Sequence, residues 1–368
     1  MDFDFSDDQK QLKDHARRFL EKTSSRDVVR AVLDTGHTHD PELWAGLIEL
    51  GFTATAIPEE YGGLGLGYLE LCVVAEELGR SLAPVPFSSS VYLAAEFLLA
   101  SGSEAQKERW LPLIASGEAV GTVALTDGSD AGDLKVHTKV SKGKLSGVKI
   151  PVPDGMIADF AIVSALGDDD HPQLFIADLA AEGVSREAVS TIDPTRGQGR
   201  LSFEETPVEP LGTGDSSTIE SVFDRAAVLF AFEQVGGADR ALEMARDYSL
   251  ERRAFGRQIG SFQALKHMMA DMYVSATLAR SNAYYAAWAL SVDSAELPQA
   301  AASARVSATQ AFRHCAKNNI QVHGGMGFTW ESDCHLYYRR SNLLALNLRG
   351  PMYWEDRLIE CIKTSGVV

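Results

Sequence analysis

The spacing of apolar and polar positions changes character twice along the 368-residue chain. Over the first 118 residues apolar positions recur at helical spacing, in segments opened by capping residues or closed by glycine. Ser6 followed by Gln9 suits a capping box, in which each side chain bonds the other residue's backbone N–H. PELWAGLIELG (41–51), YLELCVVAEELGRSL (68–82) and EAQKERWLPLIASGE (104–118) predict helices, with a potential break at Pro112. From Ala119 the texture becomes short Val-, Ile- and Thr-rich runs such as AVGTVALTD, ADFAIVSAL and PQLFIADLA, separated by Gly, Asp and Pro. Alternation in KVHTKVSKGKLSGVKI predicts strands and a hairpin turn around Lys142–Lys144, and the pattern extends through GRLSFEETPVE to about residue 212. From about Ser216 helix returns. Apolar or small residues at 262, 265, 269, 272, 276, 279, 283, 286 and 290 alternate steps of three and four, one stripe for packing on another helix. LPQAAASARVSATQAFRHCAKNNIQV is Ala-rich and favours close helix packing. The predicted class is mostly α with a central, small antiparallel β domain: residues 1–118 helical, 119–212 β and 213–368 a helical bundle.

Composition narrows the function classes. Hydrophobic content of 45% and charged content of 23% are ordinary for a soluble globular protein. A net charge of −17 disfavours broad attraction to nucleic acid or anionic membrane, while leaving room for a local basic corner that holds phosphate. The acidic start, MDFDFSDDQK, reads as neither signal nor transit peptide, and no stretch approaches the roughly 20 apolar residues of a membrane span. Cys72, Cys315, Cys334 and Cys361 lie far apart, without a C-x-x-C, so the expectation is reduced thiols in a cytoplasmic protein. No metal site is expected: His323 has no second ligand at usable spacing and reads as packed or hydrogen-bonded.

ERRAFGRQIGSFQ (251–263) interrupts the C-terminal helices with a basic, glycine-containing corner. A guanidinium offers forked donors to phosphate oxygens, and glycine lets backbone approach a ligand closely. Taken alone, an arginine paired with a carboxylate at a helix end explains such a corner better. It is accompanied, however, by IPEEYGGLGLGYLELCVVAEELGRSLAP (57–84) and IQVHGGMGFTWESDCHLYYRR (320–340). Together with RRAFGRQIGSFQALKH (252–267) these segments resemble the flavin-dependent acyl-CoA dehydrogenases, in the family's order and over nearly the whole chain. The resemblance implies a helical domain, a β domain and a C-terminal four-helix bundle. It also implies an FAD enzyme that oxidises an acyl-CoA thioester to the 2,3-enoyl form and passes electrons to an electron-transfer flavoprotein. It implies that Arg252, Phe255 and Gln263 grip the pyrophosphate of a neighbouring subunit's FAD, and that Gln321, Gly324 and Gly325 contact the same adenosine half. Ser129, in LTDGSDAGD (125–133), falls in the loop that closes over flavin and CoA, and is expected to bind substrate.

Three departures from the family pattern bear on what kind of member this is. The 125–133 loop is about three residues shorter than usual. The strand expected beside the flavin reads KIPVPDG (149–155), with Pro151 and Pro153 where an aromatic and a hydroxyl residue are usual; proline lacks the N–H and neither ring offers a hydroxyl. The β domain is therefore expected to hold flavin poorly or not at all. The usual catalytic glutamate position falls on Arg349, and the family's other location for the base on Ala226. Arginine cannot abstract a proton at neutral pH. Glu233, seven residues beyond Ala226 on the same helix face, is the remaining candidate base. Its alternative role is a structural carboxylate paired with Arg240 or with an arginine of a facing helix. Glu331 and Glu355 read as surface or capping residues. The pattern implies a subunit of a heteromeric α2β2 complex, like the paired dehydrogenases of the actinobacterial steroid side-chain type, whose partner supplies the base and the isoalloxazine pocket. A self-sufficient homotetramer using Glu233, a flavin-free scaffold subunit and an oxidase on the same fold are the alternatives.

Overall fold

The structure, a computed structural model, describes residues 6–128, 136–212 and 214–364. Helix α1 (Asp7–Thr23) opens at Ser6, whose hydroxyl accepts from the Gln9 N–H at 3.2 Å while the Gln9 side chain accepts from the Ser6 N–H at 2.9 Å. Helices α2 (Arg26–Thr35) and α3 (Pro41–Glu49) follow; α3 starts on proline, is capped by Asp40, and is followed by Gly51 at φ 74°. Helix α4 (Tyr68–Ser81) leads to a buried π-helical stretch, Ser88–Ala94, that runs directly into α5 (Ala95–Ser101). Helix α6 (Glu104–Ala115) carries a second capping box, Ser103 with Gln106. The break expected at Pro112 does not occur: the helix ends three residues later, and the Pro112 carbonyl still accepts the Ser116 N–H at 2.9 Å.

The β region contains β1 (Gly121–Ala124), β2 (Lys139–Ser141), β3 (Lys144–Pro153), β4 (Phe160–Leu166), β5 (Pro172–Asp178), β6 (Val184–Ala188) and β7 (Gln198–Pro210). The β2–β3 hairpin turns where expected, through Lys142 and Gly143 at φ 52° and 74°, the left-handed pair of a tight hairpin loop. Strands β4, β2, β3, β7 and β5 pair in that order and β5 pairs back onto β4, closing a ring; β1 adds to β4 and β6 to β7. Most pairs are antiparallel, as expected. Strand β1 nevertheless runs parallel to β4, with Gly121 opposite Phe160, and Lys139 of β2 also meets β4 in parallel sense. Period-two alternation reports which residues face inward, not strand direction. Phe160–Ala165 is buried throughout, which explains its continuous apolar run.

The C-terminal part comprises α7 (Ser216–Glu251), a two-residue hairpin of β8 (Arg253–Ala254) and β9 (Arg257–Gln258), α8 (Gln263–Ser291), α9 (Leu297–His323), α10 (Cys334–Leu344) and α11 (Pro351–Thr364). Met272, Ala276, Ala279, Ala283, Ala286 and Leu290 of the predicted stripe are buried, and α8 packs along the alanine face of α9. The chain divides into two compact units, one of Met1–Val29, Cys72–Ala83 and Ala227–Val368, the other of Arg30–Leu71 and Pro84–Ala226. In the first, α4 crosses α7 backbone to backbone. A Cβ added at Gly79 would lie 1.9 Å from the Glu233 carbonyl oxygen, and one at Gly236 would lie 1.9 Å from that of Glu76. The absence of two side chains thus sets Glu233 at a helix crossing.

Candidate functional site

The basic corner begins where α7 ends. The Arg252 N–H donates to the Tyr248 carbonyl at 2.8 Å, and the short hairpin turns through Phe255 and Gly256 at φ 52° and 80°. A positive φ is unusual for a bulky residue, and Phe255 is 95% exposed, its ring meeting Phe262 edge-on at 6.2 Å. Arg257 lies over the Phe262 ring at 4.0 Å, and Gln263 is exposed at the start of α8. The Arg252 side chain is exposed and has no side-chain partner among the described residues. The second motif lies at the end of α9, which closes at Gly324 with φ 61°. Gln321 is exposed, and a Cβ added at Gly256, Gly324 or Gly325 would meet nothing within 4 Å. Tyr248, whose carbonyl holds the Arg252 N–H, stacks its ring on His323 at 4.0 Å, which brings the two motifs together at one end of α7. His323 Nδ1 donates to the Asn319 carbonyl at 2.8 Å, and burial lowers its pKa. It is packed and hydrogen-bonded, and no three His, Cys, Asp or Glu residues cluster as a metal site among the described residues. Open backbone, free guanidinium donors and exposed aromatic rings make a surface chemically suited to a phosphate-bearing ligand.

Glu233 is fully buried on α7, its Oε1 3.6 Å from Nη1 of the equally buried Arg340 on α10. Arg340 Nη2 donates to the Leu82 carbonyl at 3.3 Å. Next along α7, Gln234 accepts from Arg305 at 2.7 Å and donates to Thr309 at 3.1 Å. Arg305 also donates to the Leu344 carbonyl and, at 3.1 Å, to Asn347 Oδ1. Burial pushes the Arg305 pKa down to about 9, with Glu233 pulling the other way. Of these two buried guanidiniums, Arg340 is the one paired with the Glu233 carboxylate, while Arg305 is bonded to Gln234, Leu344 and Asn347. The arginine opposite Glu233 comes from a facing helix, while Arg240 bonds Glu243 at 3.1 Å. This geometry favours the structural role for Glu233. Arg349 sits in the left-handed region at φ 62° with its guanidinium 4.2 Å from the Tyr353 ring centroid, Ala226 is fully buried, and Glu331 and Glu355 are exposed. Arg305 was not singled out from the sequence, although an arginine inside an alanine-rich helix is the signal that marks it.

In the second unit Pro151 is exposed and the Pro153 carbonyl accepts the Thr122 hydroxyl. Asp154, at φ 52° and buried, accepts from Ser89 Oγ at 2.6 Å. Lys149 and Asp127 form a buried ion pair, and Lys149 also donates to Ser164 Oγ at 3.1 Å. Burial lowers the Lys149 pKa; burial opposes Asp127 ionisation too, but the ammonium outweighs it and depresses the carboxyl. Ser129 lies outside the described residues.

A carboxylate missed from the sequence also lies in this unit. Glu96 on α5 is 2% exposed and accepts from the Tyr68 hydroxyl at 2.9 Å, which in turn accepts from Arg225 at 3.1 Å. Burial raises the Glu96 pKa to about 7, against the opposing effects of Tyr68 and Arg225. A folded-state pKa above the unfolded value means that the stabilising proton is held below the ordinary carboxylate range and lost as pH rises through about 7. Glu96→Gln, which keeps an acceptor for Tyr68, is expected to remove about 2–3 kcal/mol of stability loss between pH 5 and pH 8.5 in urea unfolding. An unchanged pH dependence in the variant rejects this assignment.

Residues 6–118 match the family Acyl-CoA dehydrogenase, N-terminal domain, and residues 213–346 match Acyl-CoA dehydrogenase, C-terminal domain. The chain is 34% identical to acyl-CoA dehydrogenase IpdE2 of Mycobacterium tuberculosis over 94% of each protein. Among solved structures, the steroid ACAD Tcur3481-Tcur3483 superposes with a TM-score of 0.88 at 30% identity, covering 98% of this chain and 99% of that one. The ChsE4-ChsE5 complex of Mycobacterium tuberculosis superposes with a TM-score of 0.89 at 28% identity over 98% of each chain.

Proposed function

Because the chain belongs to the acyl-CoA dehydrogenase family, we propose that it is one subunit of an α2β2 acyl-CoA dehydrogenase that completes the FAD site of its partner. The observation that carries this reading is the outward corner: Arg252, Phe255, Gln263, Gln321, Gly324 and Gly325 are available to a cofactor lying outside the protomer. These residues fit FAD, because the glycines leave space that any side chain would narrow and Arg252 has unused donors for a diphosphate. The altered positions support the other half of the reading. Arg349 and Ala226 offer no base, Glu233 is tied to Arg340, and Pro151 and Pro153 bring no hydroxyl to the flavin strand.

In the assembled enzyme the partner carries the carboxylate that takes the α proton of the thioester. Bound FAD supplies the two-electron acceptor for the β hydrogen. This chain's part would be to bind and orient: Arg252, Phe255 and Gln263 would hold the diphosphate, and Gln321, Gly324 and Gly325 would contact the adenosine half. The acyl group is a steroid or other bulky ring-bearing one, a reading supported by the likeness to a steroid ACAD, and electrons leave to an electron-transfer flavoprotein. The test is the visible spectrum of the purified chain alone and after coexpression with a homologous dehydrogenase. The expected result is a colourless chain and a yellow complex with fewer than one FAD per subunit. One FAD per chain in the isolated protein removes the heteromer reading and restores the homotetramer.

A further inference from the structure

A cavity of about 240 Å³ in the first compact unit, walled by one face of α9 and the first turns of α11, has no part in this reading. We propose that it binds a small organic monocarboxylate, whose carboxylate is held by Arg305 and Arg313 and whose short apolar body lies against the start of α11.

The arginine side carries a charge that the fold leaves without a counter-ion. Arg305 is 1% exposed, yet its guanidinium bonds only uncharged acceptors: Gln234, the Leu344 carbonyl and Asn347. Its Nε–H has no acceptor among the described residues. Glu233, the carboxylate that acts on Arg305 through space, lies 3.6 Å from Arg340 and is paired there. Arg313 lines the cavity two turns further along the same face of α9. It is exposed and has no hydrogen bond or ion pair among the described residues. The one carboxylate on the wall, Glu355, is exposed and equally unpaired among them. Arg305, Arg313 and Arg340 thus stand against Glu233 and Glu355, three positive charges against two negative ones. A buried ion without a partner is costly, and burial holds the Arg305 pKa down at about 9. Helix α11 starts at Pro351 on the same wall, so the positive end of its dipole adds to the field.

The opposite side decides what kind of anion fits. Val306, Pro351 and Trp354 line it. Trp354 spends its indole N–H on the Leu348 carbonyl at 2.7 Å, so the ring has only carbon left to offer. An inorganic oxyanion would have to turn some of its oxygens toward this apolar surface and lose their water without return. A carboxylate on a hydrocarbon body avoids that cost, with charge at one end for the guanidiniums and carbon at the other for Trp354. The volume falls below the roughly 300–1,000 Å³ of drug-sized pockets, which limits the ligand to a short chain or a single ring.

The test is calorimetric titration of the full-length chain with benzoate, butyrate and inorganic phosphate, at neutral pH and matched ionic strength. Saturable binding is expected for benzoate or butyrate, about tenfold or more tighter than for phosphate. Gln310→Glu places a negative charge on the wall at an exposed residue that bonds nothing among the described residues, and is expected to weaken binding about tenfold. Arg313→Gln is expected to weaken it by a similar factor, about tenfold. Glu355→Gln removes the wall's own carboxylate and is expected to strengthen binding about threefold. All three positions are exposed, so unchanged urea midpoints serve as the control for folding. No saturable binding of either carboxylate, phosphate binding as tight as theirs, or unchanged affinity in the three variants overturns the proposal. Neither outcome touches the FAD reading, because none of these residues belongs to the corner at Arg252.

Discussion

Arg252→Ala is expected to strip flavin from the assembled complex while leaving this chain folded. Arg252 is exposed and its side chain bonds nothing in its own protomer among the described residues, so its loss changes the stability of the chain by no more than about 0.5 kcal/mol. Its forked hydrogen bonds to a diphosphate are charge-assisted, worth about 1.5–3 kcal/mol, which corresponds to about a 10- to 100-fold weaker FAD affinity. The measurement is flavin absorbance per complex after extensive dialysis, followed by titration of FAD back into the flavin-depleted protein. A structural arginine would show the reverse pattern, with lowered unfolding midpoint and normal flavin content. Unchanged flavin content in a stable variant would favour the scaffold alternative.

Glu233→Gln is expected to destabilise the chain by about 3–5 kcal/mol, because it leaves the buried Arg340 without its carboxylate. That is a large part of the roughly 5–15 kcal/mol that holds a typical domain folded. Urea unfolding of the flavin-free chain reads the effect without reference to turnover. A second variant separates pairing from overall damage: Glu233→Met with Arg340→Met removes both charges and is expected to recover most of the loss, as paired replacements of buried ions often do. The catalytic reading predicts something different, abolished turnover at an unchanged unfolding midpoint. That result would return Glu233 to the role of base and weaken the case for a partner-supplied one.

The two glutamates show why some of the chemistry was legible and some was not. Glu233 was recognisable as a candidate because it interrupts an apolar helical run, yet its partner Arg340 lies 107 positions along the chain by sequence numbering. No local pattern reports that distance of closure. Glu96 was not singled out from the sequence, and its raised titration comes from burial in the folded chain, against the opposing pull of Tyr68 and Arg225. The Lys149–Asp127 pair was similarly hidden, although Lys149 opens the motif that drew attention to Pro151 and Pro153.

Patterns of short range were determined by the sequence alone. The capping box at Ser6, the hairpin turn at Lys142–Gly143 and the α8 stripe each depend on residues within a turn or a few turns of one another, where backbone geometry permits few solutions. The family motifs were legible for the same reason, since the corner at 251–263 is built from consecutive residues. Tertiary structure decided the parallel pairing of β1 with β4, the meeting of Arg305 and Arg313 with the start of α11 at one cavity and the partner of Glu233. Each of these requires segments far apart in the chain to meet, and which ones meet is set by the packing of whole helices and strands, such as the backbone contact of α4 with α7 at Gly79 and Gly236.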